Sequence, residues 1–224
     1  MKVSEIDAPQ VHDLLQIDAH AFTADSVPQP VWVTETLICC PWVVVRRGQA
    51  PVGHIAVGVR GAMRSERWAG FCGERLIKKV VRPEELLIYS HASNSIPRTP
   101  ALRVLREMSE RWAELALPWG PVGSIGFELA TGRPVATEAS DLDVVIRTSQ
   151  RITIDYARWL FDRTIRSEAK VDVRVETPVC GFSLEEYVIA GSSQILLRYR
   201  DGVRLGRNAW PTLGEVTSMQ RAAS

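Results

Sequence analysis

The chain has 224 residues, 46% of them hydrophobic, enough for a packed core without disulfide or metal staples. A formal net charge of +1, with 24% charged residues, gives too weak a field for non-specific nucleic-acid binding, so any anionic partner must be caught locally. The longest apolar run, LICCPWVVV, is broken by Pro41 and too short to cross a bilayer, and the N-terminus has no signal-like apolar region. A soluble cytoplasmic protein with no nucleic-acid or membrane partner is expected. The four cysteines, at 39, 40, 72 and 180, form no C-x-x-C pair and read as reduced, small apolar residues. The basic set is 23 Arg and 4 Lys. Arginine's planar fork suits phosphate and carboxylate oxygens, although a G+C-rich genome would also favour it.

Near the start, VWVTETLICC reads as a short helix. PWVVVRR and HIAVGVRG follow as two strands joined through GQAPVG, rich in β-branched residues and punctuated by Gly and Pro. His12, His20, His54 and His91 have no partner at useful spacing, so none is expected to act in catalysis, and His54 reads as a structural strand residue. From Arg60 to Arg82 seven basic and two acidic residues give a local charge of +5. Arg60, Arg64 and Arg67 are the candidate anion contacts there, against the alternative of a solvated helix face. Trp68 and Phe71 read either as core or as a stacking surface for a base. Ser, Asn and two Pro cluster in YSHASNSIPRTPALR, residues 89–103. Dividing the chain near residue 95 gives a substrate- or partner-binding domain (1–95) and a catalytic domain (96–224).

In the second half Thr99 is a plausible N-cap before Pro100, and Leu102, Leu105, Met108, Trp112 and Leu115 recur at helical spacing. SIGFELAT alternates Ile125, Phe127 and Leu129 with Gly126, Glu128 and Ala130, which predicts a half-buried strand. After a TGRP turn, DLDVVIRT predicts a strand, ITIDYARWLFDRTIR a helix, KVDVRVE a strand, SLEEYVIAG a short helix, and QILLRYRDGVRLG a hairpin around Asp201-Gly202. The expected fold class is α+β, with a small N-terminal α/β domain followed by a mixed sheet backed by helices.

Residues two apart on a strand project to one side, so Asp141 and Asp143 would present both carboxylates to one point. Like charges that close are costly unless a cation lies between them, and oxygen-only ligands favour Mg²⁺. Asp172 occupies an equivalent place in KVDVRVE, and three acids on adjacent strands suit a metal pair for phosphoryl chemistry. Pairing of Asp172 with Arg174 or Lys170 is the plainer alternative. Upstream, Gly123 lets backbone N–H groups approach a phosphate, and Ser124 adds a hydroxyl donor.

Val122-Gly123-Ser124, Asp141-Leu142-Asp143-Val144 and Val171-Asp172-Val173 resemble the signature of the nucleotidyltransferase superfamily typified by DNA polymerase β, with a longer connection of sixteen residues between Ser124 and Asp141. The resemblance implies a polymerase-β-like nucleotidyltransferase fold for the C-terminal domain. PWGPVGSIGFELATGRPVATEASDLDVVI, with PWVVVRR, VGVRGAMRSERWAGF and VETPVCGFSLEEY, is similar to the malonate decarboxylase holo-acyl-carrier-protein synthase family, also called phosphoribosyl-dephospho-CoA transferases. That likeness spans nearly the whole chain. It implies transfer from 2'-(5''-triphosphoribosyl)-3'-dephospho-CoA to a serine of the apo acyl carrier protein subunit of malonate decarboxylase, with release of pyrophosphate. On this reading Asp141 and Asp143 coordinate Mg²⁺ on the triphosphate, and Asp172 binds a second metal or takes the nucleophile's proton, with Glu176 the alternative third acid. Gly123 and Ser124 hold the β and γ phosphates, and Arg60, Arg64 and Arg67 meet the remaining negative charge. The competing readings are a nucleotidyltransferase that uses an ordinary nucleoside triphosphate and a non-catalytic nucleotide-binding module.

Overall fold

The β-branched runs of the first half pair into a five-stranded sheet, antiparallel throughout, in the computed structural model, which describes residues 8–20, 22, 29–63, 65–92, 98–164, 168–191 and 193–210. Its strands are β1 (Leu14–Ile17), β2 (Trp42–Val45), β3 (His54–Arg60), β4 (Arg67–Gly73) and β5 (Ile77–Val81), in the order β4-β3-β2-β1-β5. Helix α1 (Val31–Cys39) covers one face, where Val33 and Leu37 pack with Leu15, Val43, Val45, Val57 and Val59. The helix at VWVTETLICC and the two strands after it form where their sequence patterns place them. The +5 segment does not form a helix. It makes strands β4 and β5 around a short 3-10 turn, so its basic residues alternate between two sheet faces.

The second half contains a six-stranded mixed sheet, ordered β11-β10-β9-β8-β7-β6: β6 (Trp119–Pro121), β7 (Leu142–Arg147), β8 (Val171–Glu176), β9 (Gly181–Ser183), β10 (Ile195–Tyr199) and β11 (Gly202–Gly206). Only β7 and β8 run parallel; the other pairs are antiparallel. The remaining helices are α2 (Leu87–Ala92), α3 (Pro100–Arg111), α4 (Gly123–Thr131), α5 (Ile154–Asp162) and α6 (Leu184–Ala190). Thr99 caps α3 by accepting from the Leu102 N–H at 3.4 Å, and Leu105, Met108 and Trp112 are buried against the sheet as their spacing requires. The division expected near residue 95 falls in 93–97, outside the described residues. All four cysteines are free, Cys39 exposed and the others buried. Among the described residues no helix is long and apolar enough to cross a membrane.

One element differs from its sequence expectation. GSIGFELAT is not a strand but helix α4, which ends at Gly132 with φ 71. It is wedged between the two sheets. Ile125 faces the second core, whereas Phe127 and Ala130 pack with Leu14, Val81 and Leu86 of the first half, and Leu129 touches both clusters. A helix buried on two sides keeps only a narrow polar stripe, here Ser124, Glu128 and Thr131, and the apolar spacings i, i+2 and i+4 then mimic a strand. The long connection between Ser124 and Asp141 is absorbed by this helix and by a return loop pinned on Glu128. Glu128 accepts from the Ala136 N–H at 2.9 Å and from Arg98 at 2.7 Å.

Charged contacts tie the halves together. Arg147, at the end of β7, donates to Asp13 at 2.6 Å and to the Val11 carbonyl at 2.8 Å, and reaches Glu84 at 3.3 Å. Glu176, its neighbour across β7–β8, binds Arg47 and lies 3.0 Å from His12.

Candidate active site

A cleft of about 340 Å³ opens between the face of the first sheet opposite α1 and the start of α4. Its floor follows from strand register. Leu14, Val44, Gly58 and Ala69 lie opposite one another across β1, β2, β3 and β4, and the two small residues sink the middle of the sheet face. Arg46 lies against Gly58, and Arg60 and Arg67 are directly paired across β3–β4. All three arginines line the cleft, with His12 beside them. Pro121, Val122, Gly123 and Phe127 form the facing wall. The floor is thus apolar and the rim cationic, a combination that suits a large ligand bearing both a ring system and phosphates.

Gly123 adopts φ 61, and a Cβ there would collide with the carboxylate of Asp143, so both the backbone conformation and the close approach require glycine. Val122 donates its N–H to the Asp143 carbonyl at 2.9 Å, which docks the turn on β7. Gly123 and Ser124 open helix α4, whose N-cap, Val122, supplies no side-chain acceptor. The first-turn N–H groups of an uncapped helix attract anions. Gly123-Ser124 therefore sits at a helix N-terminus rather than at the start of a strand, an arrangement that serves phosphate better.

Asp143 and Asp172 lie opposite each other on the parallel strands β7 and β8, and Asp141 precedes β7 as an exposed residue. Burial, and next the Asp172 carboxylate, push the Asp143 carboxyl above the usual carboxylate range. Its side chain accepts no hydrogen bond from any described residue. Asp172 accepts from Arg174 at 3.1 Å, the plainer pairing that its sequence allows. Among the described residues no three His, Cys, Asp or Glu side chains close into a metal-binding cluster. The Asp143–Asp172 pair is nevertheless an oxygen-only donor set with one unbonded, half-buried carboxyl, which fits a hard divalent cation. Glu176 stands apart from it, its carboxylate engaged by Arg47 and His12.

Arg60 and Arg67 thus join Gly123 at one cleft; Arg64 lies outside the described residues. Trp68 is buried in the first core, edge-on to Phe22 at 6.0 Å, and borders the cleft. Phe71 is half-buried on β4 and does not line the cleft. Sequence reasoning missed Arg46 and, above all, His12, whose partner Glu176 is 164 residues away. Only the Arg pair that ends PWVVVRR hinted at Arg46.

Burial first, then the guanidinium groups of Arg147, Arg174 and Arg47, hold His12 at about 4, with Asp13 opposing. Between that value and the ordinary 6.5 the unfolded chain binds a proton that the folded protein refuses, so acidification through this window destabilises the fold. Urea unfolding at pH 7.5 and pH 5 is expected to show about 2 kcal/mol of stability lost through His12. Asp143 works in the opposite sense, because its raised carboxyl takes up a proton more readily when folded. The difference between wild type and His12→Asn isolates the histidine, and equal pH slopes in the two proteins would contradict the assignment.

The fold and site define a two-part α+β protein with a charged cleft between its halves, and its relatives are transferases. The family model described as phosphoribosyl-dephospho-CoA transferase MdcG C-terminal domain matches residues 86–209, and the corresponding N-terminal domain model matches residues 10–83. A phosphoribosyl-dephospho-CoA transferase of Pseudomonas putida (strain W619) is 36% identical over 93% of this chain and 98% of its own length. Proteins with the same name are 34% identical in Pseudomonas aeruginosa, over 90% of this chain and 94% of theirs, and in Klebsiella pneumoniae, over 90% and 96%. The chain belongs to the phosphoribosyl-dephospho-CoA transferase family, and it is an enzyme, a transferase. No solved structure matches it.

Proposed function

We propose that the protein transfers the phosphoribosyl-dephospho-CoA portion of 2'-(5''-triphosphoribosyl)-3'-dephospho-CoA to a serine of the apo acyl carrier protein of malonate decarboxylase, releasing pyrophosphate. The reading rests chiefly on one observation: a cleft with Arg46, Arg60 and Arg67 on one side faces the Gly123 turn, with Asp143 and Asp172 side by side next to that turn. The names of the relatives support the transferred group. The order of a Gly-Ser helix start, a D-h-D strand and an acid on the next parallel strand supports a nucleotidyltransferase-like catalytic half.

On this reading the arginines bind and orient the polyphosphate, the first turn of α4 receives its terminal oxygens, and the Leu14–Val44–Phe127 surface covers the apolar parts of the donor. Asp141, Asp143 and Asp172 would hold Mg²⁺, which when bound would neutralise charge on the phosphate oxygens. Arg174 beside Asp172 adds a fixed positive charge at the same place.

Gly123→Ala places a Cβ in a left-handed backbone position, at about 1–2 kcal/mol, and pushes Asp143 aside. Transfer is expected to fall about 100-fold, because displacing a catalytic group by about 1 Å costs that much, while the melting temperature drops by only a few degrees. Wild-type turnover in this variant would contradict the role given to the turn. The reading as a whole is tested by incubating the protein with apo carrier protein, Mg²⁺ and the triphosphoribosyl donor, then weighing the intact carrier. Gain of the prosthetic-group mass with stoichiometric pyrophosphate is expected. No gain with this donor, or a nucleotidyl adduct formed from ATP instead, would overturn it.

A further inference from the structure

We propose that His12 accepts the proton of the attacking hydroxyl, with Glu176 fixing its imidazole; the inference deepens the transfer reading above and rests on it. Among the described residues His12 is the one non-glycine with positive φ, at 76. Such a conformation is unfavourable for a bulky side chain and persists only where the surroundings impose it. Here they do. The His12 N–H bonds the Val45 carbonyl at 2.9 Å, Arg147 holds the Val11 carbonyl, and Asp13 is bound by both Arg147 and the Gln10 N–H. The segment is clamped on both sides of the histidine, whose side chain lines the cleft with Gly123 and reaches Glu176.

A carboxylate only accepts, so the bond to Glu176 places the proton on His12 Nε2 and leaves Nδ1 with its lone pair. The imidazole is neutral near pH 7, as a proton acceptor must be, because burial and the surrounding arginines disfavour its charged form. A triphosphate bound by Arg46, Arg60 and Arg67 brings negative charge into the cleft that His12 lines, and the imidazolium formed during reaction faces the Glu176 carboxylate. Asp172, for which the sequence left open a second metal site or the role of base, has an oxygen engaged by Arg174 and is poorly placed to compete. In the step itself the hydroxyl O–H bond breaks as an N–H bond forms at Nδ1. The oxygen bonds to the α-phosphorus, and the bond from that phosphorus to the departing pyrophosphate breaks with its electron pair. The proton is then passed to pyrophosphate or water.

The test uses His12→Gly, because glycine accepts the positive φ without strain and opens a hole into the cleft. At saturating donor and carrier, kcat is expected to fall about 100- to 1,000-fold, within the range for loss of a general base, with the donor KM changed by no more than about threefold. Added imidazole should restore the rate at least about tenfold, a recovery that a purely structural role would not produce. A variant that transfers at the wild-type rate overturns the proposal and leaves the transfer reading standing. So does a slow variant that imidazole fails to rescue. If the wild-type protein transfers nothing, the transfer reading fails and the role of His12 falls with it.

Discussion

Asp143→Asn will abolish transfer while leaving the melting temperature equal to or above that of the wild type. The carboxyl is half-buried, lies opposite Asp172, and receives no hydrogen bond from a described residue, so its charge opposes folding. An amide of the same shape removes that repulsion. It also removes the anionic oxygen proposed to meet the cation, and a loss of at least about 10³-fold in turnover, roughly 4 kcal/mol of transition-state stabilisation, is expected. Residues held against their own stability are the mark of a working site. Thermal melting and single-turnover transfer on one preparation check both halves of the statement. A destabilised variant, or one that retains activity, would recast Asp143 as a structural residue.

Arg147→Met should produce the largest loss of stability. The Arg147 and Asp13 side chains are only 10% and 1% exposed, and their contact joins β7 to the segment before β1. Deleting the guanidinium leaves Asp13 buried without its partner and the Val11 carbonyl without its donor, an effect of about 3–5 kcal/mol. For a chain of this size that lowers the melting temperature by roughly 10 °C. Asp13→Asn keeps one acceptor oxygen, so it retains either Arg147 or the Gln10 N–H, which bond different oxygens of the carboxylate, and should cost less, about 1–3 kcal/mol. Because the same contacts clamp His12, Arg147→Met is also expected to slow transfer at temperatures where the protein remains folded. Equal melting temperatures for wild type and Arg147→Met would show that the two halves are joined elsewhere.

The carboxylate pair was legible because it rests on local sequence. Asp143 and Asp172 each lie in a short β-branched run whose register follows from alternation, and these strands form where expected. Thr99, Leu105 and Met108 marked α3 for the same reason. The reading failed at α4, where burial on two sides leaves too narrow a polar stripe to mark a helix, and it assigned no strand to the arginine-rich stretch that forms β4 and β5. The cleft itself was half legible. Arg60 and Arg67 stood out by composition, but Gly58 and Ala69, which make room beneath them, acquire meaning only through cross-strand pairing. His12 and Glu176 meet through the packing of two separate sheets, and no local pattern in the sequence anticipates such a contact.

Titration of the wild-type and Asp143→Asn proteins with Mn²⁺, followed by water-proton relaxation in the presence of the triphosphoribosyl donor, is the most direct test of a cation held by Asp143 and Asp172 at the cleft. One tight site in the wild type, weakened at least about tenfold in the variant, is the predicted result. Equal Mn²⁺ affinity in the two proteins would contradict it.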